Sequence, residues 1–474
     1  MILAHNYDLV ILGGGTAGYV AAIKASKNGL KTAIVETEKL GGTCLHKGCI
    51  PTKSMLKSAE VITTMKDAEQ YGVESHTPSF SIGNIVNRKN EVVEQMFKGV
   101  EGLMKKNNID VFHGYGRILG PSIFSPLAGT VAVENPDDDE AEAEILINNN
   151  VLIATGSKPR ELPFLPFDGN VVVSSDHMMH LEEIPEKLAI IGGGVIGLEF
   201  ASLMTDLGSD VTVIEAGKAL IPAEDKDVSK RLERALKDRG VKFHIGLALS
   251  EETVKVEETS ATLHFDDGAE TFDKVLVSIG RSPNTEDIGL NNTKIELDNG
   301  FIKTNEFYQT KDKHIYAVGD VIGNLQLAHV ATKEGLIAVD HMADKNPLTL
   351  DYHTVPKCIY TQPEVASVGM NDKELKEQGV NFVKKKIPFG AIGKAVIAGP
   401  QNGFGSMYVD KDTGSILGVT MIGPNVTELI NEAAFAKFVD ASALELGSSV
   451  HAHPSIGEIL MELGLDAAGV GIHV

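Results

Sequence analysis

Tyr7-Asp8-Leu9-Val10-Ile11-Leu12-Gly13-Gly14-Gly15-Thr16-Ala17-Gly18 stands near the start of the chain, ahead of a helix-like segment from Tyr19 to Lys27 and of Thr32-Ala33-Ile34-Val35-Glu36. Tyr7 to Leu12 is a short, β-rich apolar run that suits a buried parallel strand. The order is therefore strand, GxGxxG, helix, strand, acid. Gly13 suits the tight turn, Gly15 the close approach of a pyrophosphate, and Gly18 the packing of helix on strand. The helix N-terminus offers N–H groups and the positive end of its dipole to phosphates. Glu36 stands where a carboxylate can accept hydrogen bonds from ribose hydroxyls.

The same device recurs. Leu188-Ala189-Ile190-Ile191 leads into Gly192-Gly193-Gly194-Val195-Ile196-Gly197, a helix through about Asp206, and Val211-Thr212-Val213-Ile214-Glu215. The acid follows the first glycine by 23 positions in both copies, Gly13 to Glu36 and Gly192 to Glu215. One GxGxxG is a weak signal; two in full context at one offset are a strong one. Two such folds imply two dinucleotides with electrons passing between them. Glu215 would repel a 2′-phosphate, and Lys218 is the one basic residue close behind it, so the second site favours NAD over NADP.

Composition narrows the classes. The chain has 474 residues, 43% apolar and 23% charged, which suits about three globular domains and excludes a disordered chain. Its net charge of −22 repels phosphate backbones and anionic lipid, so neither nucleic acid nor a membrane is an expected partner. No apolar run reaches the roughly 18 residues of a spanning helix. Only Met1 to Asn6 precede the first strand, leaving no room for a signal peptide, so the expected location is intracellular and cytoplasmic.

Two of the three cysteines stand five positions apart in Gly41-Gly42-Thr43-Cys44-Leu45-His46-Lys47-Gly48-Cys49-Ile50-Pro51-Thr52-Lys53. Three readings are open: buried thiols packing as small hydrophobes, a metal site with His46 that lacks a fourth ligand, and a redox dithiol. Placement just past a dinucleotide device favours the third, and Lys47 and Lys53 would lower the thiolate pKa. Near the C-terminus, His451-Ala452-His453-Pro454-Ser455-Ile456-Gly457-Glu458 offers an imidazole with a carboxylate to fix its tautomer and raise its basicity. Cys358 reads as a core strand thiol. The acidic run Asp137 to Glu140, with Glu142 and Glu144, reads as a solvated hairpin.

These motifs, with Ala154-Thr155-Gly156-Ser157, Gly280-Arg281 and Gly319-Asp320, resemble in order the pyridine nucleotide–disulfide oxidoreductases, most of all the branch that reoxidises dihydrolipoamide. The resemblance implies an α/β fold with two Rossmann-like domains and an α+β C-terminal dimerisation domain. It divides the chain into an FAD-binding part, 1–150, with an inserted helical stretch from Lys53 to Lys106; an NAD-binding part, 151–277; a central part, 278–347, completing the FAD site; and an interface part, 348–474. It makes Cys49 the flavin-proximal thiol, Cys44 the thiol that exchanges with substrate, His453 the acid/base oriented by Glu458, and Lys53 and Glu199 a pair near the flavin. It assigns FAD to Gly13, Gly15, Gly18, Glu36, Thr43, Lys53, Gly116, Thr155, Gly156, Ser157, Asp320 and the helix start Gln326, Leu327, Ala328 and His329. It assigns NAD to Gly192, Gly194, Ile196, Gly197, Glu215, Leu249 and Gly280, with Arg281 serving either, and it implies no metal.

The implied partners are a second copy of the chain, whose His453 reaches the disulfide in a composite site, the small molecule dihydrolipoamide, and the lipoyl domains of E2 or H-protein in 2-oxo acid dehydrogenase or glycine cleavage complexes. Ser455 and Gly457 depart from the family's usual Thr and Ser but remove no reacting group. The alternatives are a glutathione- or mercuric-reductase-like activity and a non-catalytic structural flavoprotein. The absence of basic residues at Glu215 and of cysteines in the tail Gly469-Val470-Gly471-Ile472-His473-Val474 speaks against the reductases, and the intact cysteine pair speaks against the last.

Overall fold

The parallel strands form where the sequence is most continuously apolar. In the computed structural model, which describes all residues but 1–3, 75, 77–78, 122–127, 136–141, 267, 400–402 and 474, Leu9 to Leu12 in the strand Ala4–Leu12 are fully buried. That strand lies parallel between Thr32–Glu36 and Glu144–Ile153, and Asp110–His113 extends the sheet beyond Thr32–Glu36. The long strand Glu144–Ile153 has two partners on its outer side. Its first half pairs antiparallel with Val131–Glu134, which pairs with Tyr115–Ile118, and its last three residues pair parallel with Ile315–Ala317. This sheet belongs to a compact unit of residues 1–54, 86–160 and 281–350. The acidic run at 137–140 lies outside the described residues.

Small residues let two helices of this unit meet closely. Thr16–Lys27 buries Ala17, Ala21, Ala22 and Ala25, and Ala328–Met342 packs on it. A Cβ on Gly335 would lie 3.0 Å from the Ala17 carbonyl oxygen, so glycine sets the spacing. The expected helical stretch after Lys53 is two helices: Cys49–Lys66 begins at the second cysteine itself, and Ile82–Lys106 follows.

The second unit comprises residues 55–85, 161–280 and 351–474. Its parallel sheet runs Lys242–Ile245, Asp210–Glu215, Lys187–Ile191, Lys274–Val277, Val172–Val173, with a three-stranded antiparallel meander over 254–272. Its C-terminal sheet is antiparallel, ordered Lys357–Ile359, Glu364–Gly369, Ile416–Gly423, Phe404–Asp410, Phe382–Pro388. Helices Val426–Phe438 and Glu458–Ala467 cover that sheet over a core of Met407, Val419, Met421, Ile430, Ile459 and Leu463. No helix among the described residues is long and apolar enough to cross a membrane.

A buried polar contact stitches this unit together. Tyr408 is fully buried, and its hydroxyl donates to Asp225 Oδ2, whose other oxygen accepts from the Asp372 N–H. Burial and the Asp225 charge hold the Tyr408 hydroxyl protonated far above its ordinary range. Tyr408→Phe leaves a buried carboxylate short of a donor, at about 1–3 kcal/mol. Scanning calorimetry at fixed protein and flavin concentration is expected to show a melting midpoint lower by a few degrees.

Candidate functional site

The three glycines of each turn carry different constraints. Gly13 has φ +98°, and a Cβ there would lie 2.4 Å from the Ala154 carbonyl oxygen; Gly192 has φ +112° and would meet the Ser278 carbonyl oxygen at the same 2.4 Å. Gly18 and Gly197 press on the turns themselves, their hypothetical Cβ atoms 1.9 and 2.1 Å from the carbonyl oxygens of Gly13 and Gly192. The middle glycines differ. A Cβ on Gly15 would meet only Gly42 Cα, at 3.9 Å, and one on Gly194 would meet no described atom within 4 Å. Nothing in the described chain requires a bare backbone at these two positions, whereas a phosphate laid against them would.

Gly15 and Gly194 are also the N-caps of Thr16–Lys27 and Val195–Leu207, and neither helix start has a side-chain cap among the described residues. Their first N–H groups and dipole ends are thus left without a side-chain acceptor at the cap among the described residues. The two sites fit a pyrophosphate.

The acids have an additional role that the sequence reading missed. Glu36 Oε2 accepts from the Gly14 N–H at 2.6 Å and Oε1 from Glu38 at 2.8 Å. Glu215 repeats this, with Oε2 accepting from the Gly193 N–H at 2.6 Å and Oε1 from Gly217. Each carboxylate pins its glycine turn and retains lone pairs for a further donor.

Other expected cofactor residues of the first unit converge. Strand Ser157–Pro159 pairs with Arg281–Pro283. Arg281 Nε donates to Ser157 Oγ (2.6 Å), which donates to Asp320 Oδ2 (2.5 Å), with Arg281 3.8 Å from Asp320. Thr155 Oγ1 donates to the Asn284 carbonyl and Asn284 Nδ2 to the Thr155 carbonyl, a reciprocal clamp absent from the sequence reading. Glu334, also missed, is buried and accepts from the Gly319 N–H at 2.7 Å, fixing the backbone just ahead of Asp320. Helix Ala328–Met342 starts at Leu327 without a side-chain cap among the described residues, and His329 is exposed. Gly116 has a packing reason for its glycine, since a Cβ would lie 2.6 Å from Leu12 Cδ2. In the second unit Ile196 is half-buried in the first turn of its helix, Leu249 packs at the edge of a core, and Gly280 is exposed with φ +119°.

The cysteines meet. Cys44 lies in the short helix Gly42–His46 and Cys49 heads Cys49–Lys66; both are half-buried thiols, hydrogen-bonded to each other. Negative charge on the Cys49 sulfur is favoured by its place at a helix N-terminus. Gly42 lets the dithiol segment cross the first turn, since a Cβ there would fall 2.7 Å from Gly15 Cα. Thr43 is exposed on the same short helix.

The expected lowering by the lysines is present for Lys53 but is outweighed, and for Lys47 it needs correction. The Cys44 thiol is raised well above its ordinary range, first by its hydrogen bond with Cys49 and then by burial, and these outweigh the opposing charge of Lys53, one turn along the helix from Cys49. Lys47 instead pairs with Glu38 at 2.7 Å. His46 binds the Leu40 carbonyl at 2.9 Å and packs edge-on to Phe97, and no metal cluster occurs among the described residues. Cys358 sits half-buried in strand Lys357–Ile359, its sulfur 3.8 Å from the Thr427 carbonyl oxygen.

In the second unit His453 Nδ1 lies 2.8 Å from Glu458 Oε1, while Oε2 accepts from the Ser455 N–H at 2.9 Å. The His453 hydrogen bond, then that of Ser455, holds the Glu458 carboxyl below its ordinary range. With Nδ1–H on the carboxylate, Nε2 keeps its lone pair on a side chain that is 79% exposed, so an outside molecule can reach it. Glu199 is buried and accepts from the Tyr360 N–H at 3.0 Å, a partner the sequence did not signal.

Paired glycine turns, a dithiol and a carboxylate-bound histidine define a nucleotide-dependent disulfide oxidoreductase, and comparison with known proteins agrees. Residues 7–335 match the pyridine nucleotide-disulphide oxidoreductase family and residues 355–463 its dimerisation domain, so the chain belongs to that family. It is 51% identical to a dihydrolipoyl dehydrogenase of Bacillus subtilis (strain 168), covering 99% of this chain and 100% of that one. It is 38% identical to a mitochondrial dihydrolipoyl dehydrogenase of Pisum sativum, covering 98% and 92%. Among solved structures, LpdA from Mycobacterium tuberculosis superposes with TM-score 0.89 at 26% identity over 98% of this chain and 99% of that one. The HOCl-induced flavoprotein disulfide reductase of Escherichia coli does so with TM-score 0.85 at 26% identity, over 97% and 99%.

The glycine geometry separates fold from ligand. Gly197→Ala drives a methyl into the Gly192 carbonyl and is expected to lower the melting midpoint, overpacking costing about 1–3 kcal/mol. Gly194→Ala has room for its methyl and is expected to leave the midpoint in place while raising the KM for the pyridine nucleotide. Calorimetry and steady-state kinetics on the two variants check this.

Proposed function

We propose that this chain oxidises dihydrolipoamide to lipoamide and reduces NAD⁺ to NADH, with FAD held by the first glycine turn and NAD by the second. The observation that carries this reading is the thiol pair of Cys44 and Cys49, in hydrogen-bond contact on the segment that crosses the first turn at Gly42. The matched dimerisation domain supports a homodimer. In our reading the dimer forms composite sites, His453 of one copy serving the dithiol of the other. The four-part division into 1–150, 151–277, 278–347 and 348–474 belongs to the same proposal. So do Lys53 and Glu199 as neighbours of the flavin, and Gly13, Gly15, Gly18, Thr43, Thr155, Gly156, Asp320 and the 326–329 helix start as its cradle.

The cycle starts from the Cys44–Cys49 disulfide. His453 Nε2 takes the proton of one substrate thiol, and the resulting thiolate attacks the Cys44 sulfur. A mixed disulfide forms and Cys49 leaves as thiolate. His453 passes the first proton to the Cys44 sulfur, which leaves as a thiol, and takes the proton of the second substrate thiol as that sulfur closes the lipoamide ring. Two electrons and two protons have then left the substrate. When bound, FAD would supply the two-electron relay to NAD⁺; the Cys44–Cys49 disulfide re-forms, and of the two protons given up by Cys44 and His453 one goes into the hydride and one to solvent. Glu458 orients His453 and stabilises its protonated form. Lipoyl domains of 2-oxo acid dehydrogenase or glycine cleavage complexes are the proposed macromolecular donors. The proposed setting is the cytoplasm, whose reducing character suits a pair that forms and loses its bond each turnover.

The test is a steady-state assay of purified holoenzyme with NADH or NADPH against lipoamide, oxidised glutathione and mercuric ion. Preference for NADH and lipoamide is expected; preference for NADPH overturns the reading of Glu215. Cys44→Ser is expected to abolish dihydrolipoamide turnover while the yellow flavin stays bound, and equal turnover would end the catalytic reading. His453→Gln is expected to cost about 10²–10⁴-fold. Glu458→Gln removes the negative charge that stabilises protonated His453, so the acid limb of the kcat/KM profile for dihydrolipoamide is expected to move to lower pH as the rate falls. Glu458 stays ionised below the ordinary carboxylate range, held there first by its hydrogen bond with His453 and then by the Ser455 amide, so its charge is present throughout the window of the profile.

A further inference from the structure

Two residues before His453, a second histidine is built into the same loop in a different manner. His451 has a side chain only 7% exposed, against 79% for His453. Its Nδ1 lies 3.0 Å from the Ser449 carbonyl oxygen and its Nε2 2.8 Å from Glu432 Oε1, on helix Val426–Phe438. Nδ1 also lies 3.5 Å from Ser449 Oγ, whose hydrogen goes to the Leu446 carbonyl at 2.7 Å, so the oxygens facing both ring nitrogens act as acceptors, and the ring satisfies them only when both nitrogens carry hydrogen. Its Cδ2 would lie 3.6 Å from a Cβ on Gly457, the residue that leads into Glu458, so the ring lies across the start of helix Glu458–Ala467.

We propose that His451 is a positioning residue of the thiol-exchange site: clamped in protonated form between Glu432 and the Ser449 carbonyl, it sets the loop carrying His453 and places a positive charge beside the His453–Glu458 pair. The inference rests on the acid/base reading of His453. Among the described residues the charged group that contacts this ring is Glu432, and Glu458, at the head of the next helix, feels its charge through space. The positive charge on His451 is among the influences that keep the Glu458 carboxyl ionised, after the larger contributions of His453 and the Ser455 amide. His451 touches no reacting atom. Its effect reaches substrate only through the orientation and charge balance of its neighbours.

The experiment compares wild type, His451→Gln, His451→Ala and Glu432→Gln as flavin-loaded dimers. Three readouts are taken: melting midpoint, NADH oxidation by ferricyanide, which needs the flavin but not the thiol pair or His453, and the pH profile of kcat/KM for dihydrolipoamide. His451→Gln retains a donor for Glu432 but loses the charge. It is expected to keep the ferricyanide rate, to lower dihydrolipoamide turnover about tenfold, a part of the roughly 10²–10⁴-fold a general base supplies, and to move the acid limb to higher pH. That direction is opposite to Glu458→Gln, because loss of a neighbouring positive charge eases protonation of His453. Glu432→Gln, which keeps an oxygen acceptor, is expected to lower turnover less than His451→Ala. An unmoved acid limb with unchanged turnover in His451→Gln overturns the inference. So does a loss shared equally by the ferricyanide reaction, which marks a purely structural role. Absence of dihydrolipoamide turnover in the wild type would instead overturn the functional reading on which it rests.

Discussion

Backbone touching backbone is the contact on which the nucleotide sites depend. At each glycine turn the helix comes so near the strand that the third glycine lies against the carbonyl of the first, and the first against the carbonyl of a neighbouring strand end. These contacts set the direction in which the helix leaves the sheet, and so where its uncapped N–H groups point. No side-chain interaction could substitute for them, since one methyl at either position would separate the two elements. The middle glycine is left over from this packing, which is why its bareness speaks of something outside the chain.

The dithiol segment inherits that geometry. It crosses the first turn where Gly42 meets Gly15, makes one short helix bearing Cys44, and begins the longer helix at Cys49. Cys44 and Cys49 are therefore placed by the same backbone crossing that shapes the nucleotide turn, and only afterwards by their own packing. The histidine half of the chemistry is built on different physics. His453 stands on an exposed loop at the head of a helix, and its ring is held by one carboxylate that is itself held by a backbone N–H.

Much of this was legible because it is local. Glycine spacing, β-rich runs and the acid 23 positions on are short-range signals, and they located both turns, the thiol pair and the His453–Glu458 contact. What stayed hidden is long-range. Asn284 clamps Thr155 from 129 positions away, and the Tyr360 amide meets Glu199 from 161 away. No periodicity encodes such pairings. Glu334 looked like any helical glutamate until burial showed it holding Gly319. The lysine expectation held in direction for Lys53, whose charge does pull the Cys44 thiol down, and failed for Lys47: charge near a thiol can be read from sequence, but Lys47's engagement with Glu38, and the weight of burial and the partner sulfur on Cys44, require coordinates.

The carboxylates at the ends of the second strands bear on how these sites can change. Glu36 and Glu215 each take the amide of the residue after the first glycine, Gly14 or Gly193, on one oxygen and a second backbone amide on the other. A lineage or an engineer seeking to admit a phosphorylated ribose would begin by exchanging Glu215 for a basic residue. That exchange also strips two amides of their acceptor and slackens the glycine turn. In the proposed NAD site, cofactor preference is thus tied to the scaffold, and a change of nucleotide would demand a rebuilt loop along with a reversed charge.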